Sequence, residues 1–345
     1  MLMDYQFLLS ISIPTFNRAK YLQESLGQIQ SELKNIDPGL VEVYVSDNAS
    51  TDQTTEVVSA AQENGLSVRY VRNTENLGSD ANIAQCFNDA MGKYVLIMGD
   101  DDLFVDGALA ELVAHLRSSE YGLVCLRAFG FDKDFRAEMP TLTRQTTEYM
   151  NAGAYLAKVG HFVTLISACV INKSLLKGVD ARQFCGGNLV QVYLCVMASL
   201  RAKKNLFVHH YQIAVKRNNS GGYDHTRVFV TNLLGILDSF IGQGLTANDV
   251  KKFENRLLVS YLPFYTFKLL IGGNGDLQEA KKNYAARFDG GWCYALWLKP
   301  ALYLPRPLAL VWTALITALG RLIDGDFLRG LFFLKNTLKS KFKLK

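Results

Sequence analysis

Between residues 8 and 117 the chain alternates strand-length apolar runs with helix-length amphipathic ones, and each apolar run ends in a polar cluster. Residues 8–13 (LLSISI) predict a buried strand that ends at Pro14, and residues 19–34 repeat Leu22, Leu26, Ile29 and Leu33 at helical spacing. A second strand over 41–45 ends at Ser46-Asp47-Asn48, and a Ser/Thr/Asp cluster then starts a helix over 51–61. A third strand over 68–71 precedes the polar turn 73–78, a helix over 82–91 and a fourth strand over 94–98. This order predicts an α/β fold, with a mostly parallel sheet and crossover helices. No internal repeat or low-complexity tract interrupts it.

Further strands are expected at 123–129, 167–171 and 206–215, with a helix over 188–200 before the last. From Thr226 onward helical periodicity dominates. The glycine-bearing stretch 216–224 therefore predicts a boundary between an α/β domain, 1–223, and a helical C-terminal region, 224–345.

With 49% hydrophobic and 20% charged residues the chain is neither disordered nor fibrous. Its net charge of +5 suits anionic ligands or an acidic membrane surface, and is too mild to argue for nucleic acid. The six cysteines have no Cys-x-x-Cys spacing and read as buried thiols in a reducing compartment. Met1 to Phe7 has no basic stretch of the secretory kind, so a cytoplasmic location is expected.

The fourth strand runs into Gly99 and then Asp100-Asp101-Asp102. Adjacent carboxylates repel one another, and their oxygens suit a hard cation such as Mg²⁺ or Mn²⁺. The alternative is a solvated acidic turn capping the helix that begins near Gly107. Three other polar clusters follow strands: Pro14-Thr15-Phe16-Asn17-Arg18, residues 47–52, and Asn76-Leu77-Gly78. In a parallel sheet all four would converge where open α/β folds bind ligands. Each also has a structural explanation, as a cap or a turn.

The segment 12–18, residues 45–52, Asn76-Leu77-Gly78 and the Asp triplet together resemble the family 2 glycosyltransferases, whose fold is the GT-A nucleotide-diphospho-sugar-binding fold. The resemblance covers roughly residues 8–220. It implies nucleotide contacts from Pro14, Thr15, Asn17, Arg18, Asp47, Asn76 and Gly78. An Asp-x-Asp motif would contact ribose and a divalent metal that bridges the diphosphate. Two registers are open: Asp100 with Asp102, or Asp101 as metal ligand with Gly99 in place of the first acid. The assignment adopted is Asp100 for the nucleotide sugar, with Asp101 and Asp102 for Mg²⁺ or Mn²⁺. Lys216 and Arg217 are candidates for the diphosphate's charge, or else a solvated basic turn.

The chain departs from the pattern at one place. Inverting members carry a catalytic Asp or Glu at a helix start well after the metal motif. The corresponding stretch here, 184–191, offers amides instead, and residues 181–223 contain no acid at all. An amide is no general base. The candidates left are Asp180 or Asp224 reaching in from elsewhere, with Asn188 and Gln191 as the amides in place, or a retaining outcome in which the departing phosphate takes the proton. The Gly-Gly-Asn-Leu-Val-Gln text is similar to the abequosyltransferase-like branch, which adds 3,6-dideoxyhexoses during O-antigen assembly. His210 or His225 is a candidate extra metal ligand, although structural histidines are the commoner case.

The expected activity is a metal-dependent hexosyl transfer from a nucleotide-sugar donor to a lipid-linked oligosaccharide. The apolar C-terminal third and its basic end, Lys335 to Lys345, would dock on the cytoplasmic face of the inner membrane. The alternatives are a nucleotidyltransferase or a catalytically inactive sugar-nucleotide-binding protein.

Overall fold

Strand β1, Phe7–Thr15, pairs in parallel with β2, Val41–Asp47, on one side and β4, Gly92–Ile97, on the other. Strand β3, Val68–Arg72, extends the sheet beyond β2. Helices α1, Ala19–Leu33, α2, Thr54–Glu63, and α3, Ser79–Asp89, are the crossovers. Leu9, Ile11 and Ile13 pack with Val41, Val43, Val45 and the α1 residues Leu22, Leu26 and Ile29 in one cluster. The serines between them face the other way, and Ser10 donates to the buried Glu42, which also pairs with Arg69. The computed structural model describes residues 5–140, 143–217, 224–272 and 276–324. The chain divides into two compact units, Met1–Gly222 and Tyr223–Lys345.

In the first unit the order continues with β5, Leu103–Phe104, α4, Ala108–Ser118, β6, Leu123–Phe131, and α5, Phe135–Glu138. Then come β7, Thr146–Tyr149, α6, Ala152–Val159, β8, Cys169–Asn172, α7, Val190–Arg201, and β9, Asn205–Lys216. The strands lie in the order β3-β2-β1-β4-β8-β6-β9-β5, with β7 also on β9. The first four strands are parallel, as expected. Beyond β4 the sheet is mixed: β8 runs antiparallel to both neighbours, β6 and β9 are parallel, and β5 and β7 run antiparallel to β9.

Pro14 does not end β1, because the strand continues to Thr15. Pairing of β1 with β4 stops at Ser12↔Ile97, and Met98 N then bonds to Ser12 O, whereas pairing with β2 reaches Thr15↔Asp47. Alternate residues of a parallel strand bond to the same neighbour, so Pro14's missing N–H faces β4, where no ladder bond is made. The proline thus marks the point where β1 and β4 part. In the order 3-2-1-4 this is the topological switch point, the place where such sheets bind ligands.

Helix starts also differ from expectation for local reasons. Helix α2 begins at Thr54, because Asp52 accepts from Thr54 N and Thr54 Oγ1. Helix α3 begins at Ser79, after Gly78 turns the chain with φ 86°. Five of the six cysteines are buried and Cys185 is exposed.

The second unit is helical: α8, Leu233–Ser239, α9, Ala247–Arg256, α10, Leu262–Leu270, α11, Leu277–Phe288, α12, Lys299–Tyr303, and α13, Arg306–Ile323. Helix α13 packs on α10 and on the π-helical turn Leu257–Tyr261 through Ala309, Thr313, Ile316 and Gly320. At Gly320 a Cβ would lie 2.1 Å from the Val259 carbonyl oxygen, so only glycine allows this approach. The basic run Lys335 to Lys345 lies outside the described residues.

Candidate functional site

The loops after β1 and β4 meet across the gap that Pro14 marks. Thr15 Oγ1 donates to Asp100 Oδ2 at 2.7 Å. Arg18 Nε lies 2.7 Å from Asp100 Oδ1, and its Nη2 lies 2.6 Å from Asp101 Oδ2. One guanidinium therefore holds two adjacent carboxylates. Asp102 is buried and accepts from Ser167 Oγ at 2.5 Å and from Lys216 N at 3.3 Å. Ser167 Oγ in turn accepts from Gly99 N at 2.9 Å, which fixes the turn before the triplet.

The triplet does not cap the following helix. The amides of Gly107 and Leu109, at the start of α4, donate to Glu32 at 2.9 and 3.1 Å. The structural alternative for the acids is thus filled by another residue. Burial pushes the Asp100 carboxyl up to about 6, against the pull of Arg18 and Thr15. Burial also pushes Asp102 up, and the charge of Asp101 adds to the shift. Both acids are held where ionisation is costly unless a cation joins them.

Whether these residues fit a divalent cation is tested at Gly99. A Cβ placed there would meet Asp101 Oδ1 at 3.2 Å and Asp102 Oδ2 at 3.1 Å. Two like-charged oxygens thus flank one small space that glycine leaves open. With one arginine among three carboxylates, the ionised cluster carries a net charge of two minus. Among the described residues no set of three or more His, Cys, Asp or Glu side chains is arranged to hold a metal. A pair of carboxylates suits Mg²⁺ or Mn²⁺ all the same, because Mg²⁺ sites commonly use one or two carboxylates and take their other oxygens from phosphates and water. The donor set fits.

The residues expected to contact a nucleotide form a connected rim. Asp47 is fully buried, accepting from Ser50 N at 2.8 Å and from Tyr70 Oη at 2.6 Å. Asn17, at φ 54°, accepts from Thr51 N at 2.7 Å, so the loops after β1 and β2 are joined. Asn48, which sequence reasoning did not single out, organises the third loop. Its Nδ2 donates to Asn76 Oδ1 and Gly78 O, and its Oδ1 accepts from Leu77 N. Pro14, Thr15 and Asp47 thus end their strands at this rim, and Asn17, Arg18, Asn76, Gly78 and Asp100 lie in the linked loops that follow.

The other candidates lie elsewhere or are engaged. Arg217 pairs with Asp132 at 2.6 Å and Glu138 at 3.3 Å, while Lys216 contributes its backbone amide to Asp102. Asp180 is held by Arg182 and by Asn88 Nδ2, and the hydrogen bonds from Arg182 hold its carboxyl well below the usual range. A carboxylate so stabilised is a weak base. Asn188 is exposed, and Gln191 Nε2 donates to Thr164 O at 2.7 Å. His210 Nε2 pairs with Glu111 at 2.9 Å and its Nδ1 accepts from Gln145 N, a structural role. In the second unit Asp224 caps a helix through Thr226 N and Arg227 N. His225 stacks on Tyr265 and meets Tyr261 Oη at 2.8 Å, and burial pushes it down to about 3. Its ring is thus stacked on Tyr265 with Phe229 4.3 Å away, and its Nε2 meets a tyrosine hydroxyl rather than an acid.

The family model described as glycosyl transferase family 2 matches residues 10–177. The chain is 39% identical over 305 residues to an abequosyltransferase of Salmonella typhimurium, covering 81% of this chain and 89% of the relative. A GalNAc(5)-diNAcBac-PP-undecaprenol beta-1,3-glucosyltransferase of Campylobacter jejuni is 33% identical over 106 residues, 30% of this chain and 33% of that one. In fold the chain is similar to the crystal structure of S. aureus TarS residues 1–349, with a TM-score of 0.60 over 90% of each chain at 17% identity.

Proposed function

The chain belongs to glycosyl transferase family 2, a nucleotide-sugar-dependent glycosyltransferase of GT-A-like fold, and from that premise we propose that it transfers a 3,6-dideoxyhexose such as abequose to a lipid-linked oligosaccharide. The acceptor would be an intermediate of O-antigen or related polysaccharide assembly. Family membership removes the nucleotidyltransferase alternative. The observation that carries the reading is the joining of Thr15 and Arg18 to Asp100 and Asp101 across the β1/β4 switch point, above the buried Asp102. The sugar rests on the likeness to the abequosyltransferase over most of both chains, and the lipid-linked acceptor on the shorter likeness to the PP-undecaprenol glucosyltransferase.

Asp101 and Asp102 would hold Mg²⁺ or Mn²⁺, and Asp100 would stay with Arg18 and Thr15 beside the ribose. When bound, the cation offsets the negative charge that collects on the departing nucleoside diphosphate. The chain's own residues do the rest. Asp47, Asn48 and Asn76 hold three loops in one rim against the nucleotide, and Gly99 leaves the two carboxylates room to converge. Arg18 orients Asp100 and Asp101 and keeps the apo cluster from repelling itself apart.

In a screen of nucleotide sugars with Mg²⁺, one donor is expected to raise the melting temperature, and nucleotide-linked abequose is the first choice. At a donor concentration of 100 Kd the gain is about 2.7 kcal/mol. Release of nucleoside diphosphate with a lipid-linked acceptor then separates an enzyme from an inactive binder. Absence of stabilisation by every nucleotide sugar in the presence of metal would sink the reading.

We further propose that the second unit lies on an anionic bilayer at the cytoplasmic face of the inner membrane. Leu308, Val311, Leu315, Leu319 and Leu322 are exposed at helical spacing on α13, and Trp292, Leu296 and Tyr303 are exposed in the same unit. Residues 224–345 hold 17 Lys and Arg against nine Asp and Glu, a net +8, which leaves −3 for the rest of the chain. Among the described residues helix α13 alone is long and apolar enough to cross a membrane, but its opposite face is packed on α10, which favours lying in the interface. The full chain should sediment with phosphatidylglycerol vesicles and not with neutral ones, and Val311→Asp with Leu315→Asp should release it. Equal binding by the double variant would overturn this proposal.

A further inference from the structure

The acid-free stretch is not without a carboxylate. Asp80, in the first turn of α3, accepts from Gly186 N at 2.7 Å and from Asn188 N at 2.9 Å, both through Oδ2. Gly186 has φ 109° and Asn188 φ 57°, so two residues of this short loop adopt left-handed backbone. Asparagine tolerates that conformation better than most residues, and a loop held in it still needs contacts that fix it. The two amides converging on one carboxylate oxygen are such contacts, and charge-assisted bonds of this kind are the strong ones.

The loop is tied down at both ends. Asp80 stands two residues after Gly78, whose carbonyl accepts from Asn48 in the nucleotide-side rim. At the other end Gln191, in the first turn of α7, donates to Thr164 O. Thr164 is followed three residues later by Ser167, which donates to Asp102. Residues 186–191 are therefore strung between the Asn76–Gly78 turn and the residues that hold the acidic triplet. Two acceptors, Gln191 Oε1 on this strap and Asp80 Oδ1 on the helix that holds it, are buried without a hydrogen-bond partner. Burying such atoms costs free energy, which a protein tolerates where the surrounding geometry serves a purpose.

We propose that Asp80 is a positioning residue of the transfer site: its carboxylate holds the Gly186–Asn188 loop as a fixed wall beside the donor, so that the acceptor meets the sugar in one orientation. This inference rests on the glycosyltransferase reading above. It assigns Asp80 no proton transfer. The role requires an acceptor for two amides at one point, which the side-chain oxygen of asparagine also supplies and alanine does not.

The test uses the full chain with Asp80→Ala and Asp80→Asn. In Asp80→Ala transfer should fall about 10²-fold, the size of effect that misplacement near 1 Å produces, with the acceptor KM raised. Affinity for the nucleoside diphosphate with Mg²⁺ should stay within about threefold, since the Asn48–Gly78 contact remains. Hydrogen exchange of the peptide covering 184–191 should speed up in Asp80→Ala and not in Asp80→Asn. Asp80→Asn should recover transfer to within about threefold of wild type, because both amides keep their acceptor. Wild-type transfer or unchanged exchange in Asp80→Ala overturns the proposal. So does an Asp80→Asn variant with protected amides and no transfer, which would make Asp80 a proton acceptor instead. If the wild-type chain moves no sugar from any nucleotide, the glycosyltransferase reading has failed, and the exchange measurement alone then decides the clamp.

Discussion

Asp102→Asn is expected to abolish sugar transfer while leaving the metal-free protein at least as stable as wild type. Transfer should drop about 10²–10³-fold, the cost of removing one group that stabilises charge in a transition state. Stability should hold because the site already disfavours the charged form. Asparagine has the same shape, its carbonyl can accept from Lys216 N, and its amide can donate to Ser167 Oγ, so neither partner is left unpaired. The linkage sign follows from the direction of the shifts. A carboxyl whose folded pKa lies above its unfolded value binds more protons when folded, so its contribution to stability is present at low pH and is lost as pH rises. In EDTA, wild-type stability should therefore decline as pH rises from about 4, the ordinary carboxylate value, through about 6, where Asp100 titrates. Asp102→Asn should flatten the part of that decline due to Asp102. Thermal melts at stepped pH, paired with transfer assays, measure both. Asp101→Asn should also lose transfer, and full activity in both variants would refute the metal role assigned to the pair.

How far the sequence revealed this site follows from the range of each interaction. The order of β1 to β4, and the polar cluster at each strand end, are legible because run length and periodicity are local properties. Their convergence then follows from parallel topology, which is why the sequence groups Thr15, Arg18 and Asp100. Beyond β4 the apolar runs mark β6, β8 and β9 at 123–129, 167–171 and 206–215, but not the directions in which these strands run. Strand β8 is only four residues long and follows the 3-10 turns Gly160–Thr164 and Ile166–Ala168, and no local pattern states its direction. Ser167, Asn48 and the Lys216 amide act on residues 65, 29 and 114 positions away, and nothing around them in sequence marks that work. Asp80 was hidden for a different reason. An acid in the first turn of a helix is ordinary helix chemistry, so its bonds to residues 186 and 188 appear only in three dimensions.

Gly92→Ala should cost the first unit about 1–3 kcal/mol, the range for forcing an extra methyl into packed structure. A Cβ at Gly92 would lie 2.5 Å from Ser10 N, 2.7 Å from Leu9 C and 2.8 Å from Ser10 Oγ. Two of these are backbone atoms of β1, a central strand hydrogen-bonded on both sides, so no side-chain rotation relieves the clash. Either β1 and β4 move apart or the ladder near Phe7↔Gly92 breaks. The bond from Gly92 N to Ser10 Oγ, at 2.7 Å, is strained in both cases, and with it the buried Glu42 network. For a unit of this size the loss corresponds to a melting shift of about 2–4 °C per kcal/mol. The same displacement reaches the site, because β1 ends in Thr15, β4 leads to Asp100, and the 2.7 Å bond between them spans the gap. Nucleoside diphosphate affinity should therefore weaken along with stability, although Gly92 lies at the opposite end of β4 from the acids. Urea unfolding gives the first quantity and calorimetry the second. A variant within about 0.5 kcal/mol of wild type, the usual range for a neutral surface change, would show that β1 and β4 can yield without strain.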